Sequence, residues 1–208
     1  MTEEEGHLLD PTLTDDHRFP SAFSGRSLFV KGEDWQNNAM LGWTGFPADL
    51  YATGYRDAAD ALLFALSQRR VSLDSVVYPL VFLYRQGLEL QLKLMLPLAR
   101  RLADEYPKSD HGHGLMPLWG ELRSLLISVG VPSDDKEVVA TEVFIRQLDE
   151  VDPQSFAFRY ATSKKGELSL PDLTHINVRH LGEVMDSVFM ALSGIYSWLG
   201  EMEQGVDY

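Results

Sequence analysis

The chain has 208 residues, 45% of them apolar, and no cysteine, so disulfides, thiolate zinc sites and iron–sulfur clusters are excluded and a reducing, cytoplasmic setting is expected. Its formal charge of −13 is concentrated at the ends: residues 1–16 hold six acids and residues 201–208 three, with no Lys or Arg in either stretch. Residues 17–200 carry all 18 bases against the remaining 22 of the 31 acids, which argues against broad duplex binding through phosphate neutralisation but leaves room for a local basic pocket.

The length suits one domain with a substantial core. The opening MTEEEGHLLD has neither the basic region nor the apolar stretch of a secretory signal. Residues 1–32, rich in Pro, Ser, Thr, Asp and Gly, read as an extended or disordered acidic arm, with residues 33–204 as the folded domain. The run from Glu33 to Pro47 reads as a short helical turn anchored by Trp35, Trp43 and Phe46 and ended by Pro47.

From Asp49 to about Arg69, Tyr51, Tyr55, Ala58, Ala59, Leu62 and Leu66 step by three and four, which predicts an amphipathic helix. Ser72 or Asp74 can cap a second helix from Leu73 to about Tyr106, with Pro97 expected to kink it or end its first section. A third helix is predicted over Leu115–Val129, ending at Gly130. A fourth starts around Pro132–Asp135 and runs to about Val151, with acids in its first turn where the helix dipole favours them.

Residues 152–171 break this rhythm, as Phe156, Phe158 and Tyr160 alternate with other residues before a Lys164-Lys165-Gly166 turn. A last helix, from about Asn177 to Met202, follows the 3.6-residue period closely through Leu181, Val184, Met185, Val188, Phe189, Leu192, Ile195, Tyr196 and Leu199. The expected fold is therefore all-α: a bundle of about five helices, with a small β-hairpin or structured loop inserted before the last one. The run YPLVFLYRQGLELQLKLMLPL is long enough to span a bilayer. Arg85, Glu89 and Lys93 near its middle would each cost about 2.5–3.5 kcal/mol there, so a core helix is the better reading and no membrane partner is expected.

Those three residues are the first candidate constellation. Spaced at i, i+4 and i+8, they span only about 80° of the helix surface. Either they form a solvated polar edge with two ion pairs, or they line a cleft in which buried charge requires partners. His111 and His113, between glycines before the third helix, lack a third ligand at close spacing, so no metal is assigned. His113 can act as a general base or phosphate contact near a helix N-terminus, or be a turn histidine bonded to local backbone.

Arg159-Tyr160 with Lys164 and Lys165 is the most basic short stretch; interleaved with Phe156 and Phe158 it can hold a phosphate and stack a base, or be a surface loop. His175, Asn177, Arg179 and His180 cluster at the start of the last helix, where Asn177 is accounted for as an N-cap. Walker, G-x-S-x-G, GxGxxG and H-E-x-x-H motifs are all missing, and no cofactor is assigned.

The segments YATGYRDAADALL, VVYPLVFLYRQGLELQLKLML, HGHGLMPLW and FAFRYATSKKGELSLPDLTHINVRHL resemble a group of bacterial helical proteins with an L-Y-R-x3-E-L-x2-K helix. In layout, over roughly residues 50–200, the chain resembles the HEPN superfamily of toxin–antitoxin and antiviral systems, many of whose members cut RNA as dimers. The most specific pieces are Tyr84-Arg85, Glu89-Leu90, Lys93, His113, Leu118-Trp119 and Arg159-Tyr160. The resemblance implies a homodimer, a protein partner in a defence or toxin–antitoxin complex, and RNA or a nucleotide as ligand. The R-x4-6-H motif of active HEPN ribonucleases is missing: Arg179 and His180 are adjacent, and His175 and His180 stand at the spacing without an arginine. A site would have to be assembled from Arg85, Glu89, His113 and Arg159, with Lys93, Tyr160, Lys164 and Lys165 as phosphate or RNA contacts. Otherwise the domain is a binding module.

Overall fold

The computed structural model describes residues 20–25, 27–41, 47–106 and 112–206. The chain divides into two compact units, residues 1–43 and 44–208. In the first, 3-10 turns at Pro20–Phe23 and Trp35–Asn37 are the regular elements among the described residues. Asn38 ties its loop together, its side chain accepting from the Gly32 N–H at 2.7 Å and donating to the Gly32 carbonyl at 2.9 Å. Trp35 finds no apolar cover within this unit and is no anchor there. The acidic stretch 1–16, Trp43, Phe46 and His111 lie outside the described residues.

The second unit is all-helical: α1 (Pro47–Ser67), α2 (Leu73–Leu102), α3 (Leu115–Ser128), α4 (Lys136–Val151) and α5 (Val178–Val206). Pro47 opens α1 rather than closing a preceding turn, as suits a residue whose missing N–H has no partner at a helix start. α2 is the central element. α1, α3 and α5 all pack on it, while α4 packs on α3 and α5. The core runs through Leu88, Leu92 and Met95 of α2, Trp119 and Leu122 of α3, Ile145 of α4 and Phe189 and Leu192 of α5.

Two expectations about the helices need correction. Pro97 does not divide α2 into sections, and the helix runs as one element to Leu102 rather than to about Tyr106. Buried Met95, Leu96, Leu98 and Ala99 anchor the helix on both sides of the proline, and packing offsets the roughly 3 kcal/mol of the lost bond and ring clash. Most of the predicted α1 stripe faces inward, with Ala59 buried and Tyr55, Leu62 and Leu66 half-buried, but Tyr51 is 63% exposed, Ala58 is exposed, and Ala52 makes the core contact at the start of the helix instead. Small residues win because α1 lies close against α2 at Gly87, whose position for a Cβ is 3.4 Å from the Arg56 amide nitrogen and 3.5 Å from the Ala52 carbonyl.

The insert before α5 is a structured loop. One antiparallel bridge joins Thr162 and Leu168 around a turn in which Gly166 has φ +81°. The described residues contain no strand or sheet, because the alternation of Phe156, Phe158 and Tyr160 is absorbed by tight turns instead. No helix among the described residues is long and apolar enough to cross a membrane.

Candidate functional site

The polar edge of α2 turns inward. Arg85 and Glu89 are 0% and 1% exposed, so the i,i+4 pair is buried rather than solvated. The Arg85 guanidinium donates in three directions: Nη1 to Glu89 Oε2 at 3.1 Å, Nη2 to the His113 carbonyl at 2.8 Å, and Nε to the Asp152 carbonyl at 2.8 Å. One side chain thus ties α2 to the loop before α3 and to the turn after α4. Only a planar guanidinium, with donors fixed in several directions, can do this.

Asp152 completes the charge balance. Its Oδ1 accepts from the Phe156 and Ala157 N–H groups at 2.6 and 2.9 Å, and its Oδ2 stands 3.7 Å from Arg85 Nε. The turn it closes holds Ser155 at φ +55°. Sequence reasoning passed over Asp152. The signal was an acid at the C-terminal end of α4, where the helix dipole disfavours it, followed directly by Pro153.

The other oxygen of Glu89, Oε1, is shared by Lys93 Nζ at 2.9 Å and His113 Nδ1 at 2.9 Å. Burial pushes the Glu89 carboxyl up, but the hydrogen bonds from Lys93 and His113 outweigh it and hold the group below the ordinary carboxylate range. Against a carboxylate, Nδ1 of His113 must be the donor, so in the neutral ring Nε2 carries the lone pair. That ring is 63% exposed. His113 is therefore oriented from inside and accessible from outside, which is what a general base requires. Arg85 is a positioning group, with its three nitrogens engaged and no exposed surface.

Arg159 does not hydrogen-bond to this cluster. Its Nε donates to the Ser155 carbonyl at 2.5 Å, and its guanidinium lies 5.6 Å from the Phe82 ring centroid and 5.4 Å from that of Tyr160. Tyr160 in turn stacks at 4.7 Å on Phe156, and Phe82 meets Tyr55 edge-on at 6.4 Å. Arg159 and Tyr160 are exposed, so this is a surface ladder of rings and one cation. Phe158 does not join it; at 5% exposure it is a core residue. Phe82 and Glu89 share the inward edge of α2 and are about 10 Å apart along the helix axis.

Lys164 and Lys165 sit exposed on the turn beyond this ladder. Asn177 accepts from the His180 N–H at 3.1 Å, as an N-cap does, and His175 pairs with Thr174 at 3.1 Å. Neither histidine meets the α2 cluster. Among the described residues no three His, Asp or Glu side chains are grouped to hold a metal ion.

No family model, curated protein or solved structure matches this chain. Function has to be argued from the site itself. The buried half, Arg85–Glu89–Asp152, sets the geometry. His113 and Lys93 are the accessible groups beside it, and Arg159 and Tyr160 form a separate surface ladder along the same edge of α2.

Proposed function

We propose that the helical unit is a HEPN-like module, without the R-x4-6-H motif, that binds single-stranded RNA or a nucleotide along the α2 edge. The observation that carries this reading is Arg159, its guanidinium held against the rings of Phe82 and Tyr160 on an accessible surface. Unpaired bases stack on such rings and cations, at about 1–3 kcal/mol per base, while duplex bases are already stacked and are not recognised this way. Lys93, 11 residues and about three helix turns on from Phe82, supplies positive charge for a phosphate further along the strand, and His113 beside it offers a polar contact. Lys164 and Lys165 extend the basic surface.

Binding of a labelled single-stranded RNA, followed by fluorescence anisotropy at two salt concentrations, tests this. The expected result is preference for single strands over duplex and a loss of about tenfold in Tyr160→Ala and Arg159→Ala, since one stacking contact is at stake. Equal affinity for duplex, or unchanged affinity in both variants, would refute the reading. The acidic stretch 1–16 suits a partner protein with a basic surface, and a homodimer is part of the same proposal.

The Glu89–His113 pair favours a second reading, metal-independent RNA cleavage. His113 Nε2 would take the proton of a 2′-hydroxyl as its oxygen bonds to the adjacent phosphorus and the P–O5′ bond breaks. The 5′-oxygen takes a proton from water, leaving a 2′,3′-cyclic phosphate and a 5′-hydroxyl, while Arg159 or Lys93 offsets phosphate charge and Arg85 fixes Glu89. Under this reading His113→Ala abolishes cleavage of single-stranded RNA and Glu89→Gln shifts its pH profile. Intact RNA after prolonged incubation between pH 5 and 9 leaves the binding module alone.

A further inference from the structure

α1 and α5 run antiparallel where they meet. Arg56 of α1 bonds Asp186 of α5 at 3.0 Å, and Leu63 one to two turns on packs against Gly182. The C-terminal end of α1 therefore draws level with the start of α5, and a groove of about 750 Å³ opens between them. That volume falls in the range of small-molecule sites. It is distinct from the α2 edge described above: Arg85, Glu89, His113 and Arg159 take no part in lining it.

The groove is polarised. At one end stand Arg69 and Arg179, neither of which meets an acceptor among the described residues. Arg179 is in the first turn of the 29-residue α5, whose dipole adds positive potential there. At the other end stand Asp60 and Asp186, which share the single guanidinium of Arg56 at 3.7 and 3.0 Å, so this end keeps a net negative charge. Glu183 adds another carboxylate on the same face of α5.

Buried Tyr84 backs this end, donating to Asp60 at 2.7 Å. Burial and the neighbouring Asp60 push its hydroxyl well above the ordinary tyrosine range, so it remains a donor and adds no charge of its own. Between the ends the wall is apolar, formed by Leu63, Leu66 and Val178. Arg179 and Asp186 are seven residues apart on one helix, about 10 Å along its axis.

We infer that this groove binds an elongated zwitterion. Its anionic group, a carboxylate or phosphate, pairs with Arg69 and Arg179. Its ammonium lies among Asp60, Glu183 and Asp186, and an apolar spacer covers Leu63 and Leu66. Neither end alone explains the arrangement. An anion-only ligand would place its tail against three carboxylates, and a cation-only ligand would leave two unpaired arginines beside its own.

Isothermal titration of the full chain with ω-aminooctanoate tests the inference, with octanoate, octylamine and glycine as comparisons. Glycine carries both charges but cannot span the groove. ω-Aminooctanoate is expected to bind about tenfold or more tighter than each comparison, because each lacks one charge-assisted contact or the spacer. Arg69→Gln with Arg179→Gln should bring its affinity down to that of octylamine, and Glu183→Gln should weaken it while leaving octanoate no worse. These three side chains are exposed and make no hydrogen bond or ion pair among the described residues, and unchanged circular dichroism confirms that the variants are folded. No binding of ω-aminooctanoate, equal binding of octanoate or octylamine, or wild-type affinity in the double arginine variant would overturn the inference.

Discussion

Arg85 Nε donates to the carbonyl of Asp152, 67 residues further along the chain, at 2.8 Å, and stands 3.7 Å from the same residue's carboxylate. With the bonds to Glu89 and the His113 carbonyl, this fixes two loops against the central helix. Arg85→Met should therefore cost about 3–5 kcal/mol, because the buried Glu89 and Asp152 carboxylates lose the cation between them, leaving Glu89 with Lys93 and His113 and Asp152 with backbone N–H groups alone. Urea unfolding measures it. Arg85→Lys should recover little, since an ammonium cannot donate in three fixed directions. A loss under about 1 kcal/mol in Arg85→Met would show that the cluster is solvated.

The Glu89 carboxyl gives a pH signature. Its folded value lies below the ordinary 4.5 of the unfolded chain, so folding favours the carboxylate. The stabilisation is fully present above pH 4.5 and is lost as pH falls through the depressed folded value. Wild type and Glu89→Gln should differ in stability at neutral pH and converge as the solution becomes acid. A gap that stays constant or widens towards low pH contradicts the assignment.

Gly87 separates two effects in one position. A Cβ there meets the Phe189 ring and the Arg56 amide nitrogen at 3.4 Å, ordinary contact distance. Gly87→Ala should fit, gaining about 0.5–1 kcal/mol from reduced chain entropy and better helix propensity. Gly87→Leu has no room against the backbone of α1 and should cost at least about 1–3 kcal/mol. Thermal unfolding of the pair checks the prediction; destabilisation by alanine would mean a closer helix crossing.

The helix caps should rank unequally. Asp135 accepts from the Glu137 and Val138 N–H groups at 3.0 Å each, so Asp135→Ala should cost about 1 kcal/mol. Ser72 holds the N-cap position of α2 without a side-chain bond, and Ser72→Ala should change little. Chemical denaturation of both variants decides, and similar losses would refute the ranking.

The chain order and type of all five helices were legible in the sequence, because apolar spacing near 3.6 residues needs no knowledge of the partner surface. α5 is the clearest example, with Met185, Val188, Phe189, Leu192 and Leu199 both periodic and buried. The start of the α1 stripe was misread, with Tyr51 exposed and Ala52 buried, because a tyrosine and an alanine are both acceptable on a helix face until a neighbour's distance is known. Gly87 sets that distance, from 35 residues beyond Ala52.

For the candidate site the division is similar. Local spacing alone placed Arg85, Glu89 and Lys93 on one edge of α2, since i,i+4 and i+8 geometry is a property of the single helix. It could not say whether that edge met water or protein. Tertiary structure decided it by bringing Asp152 and His113 onto the edge, which converts two exposed ion pairs into a buried cluster with one accessible imidazole. Arg159 was decided in the same way, drawn to the rings of Phe82 and Tyr160 rather than to Glu89. The helix states which side chains share a face. Only long-range packing states what that face meets, because burial and hydrogen-bond partners belong to pairs of segments and not to either one.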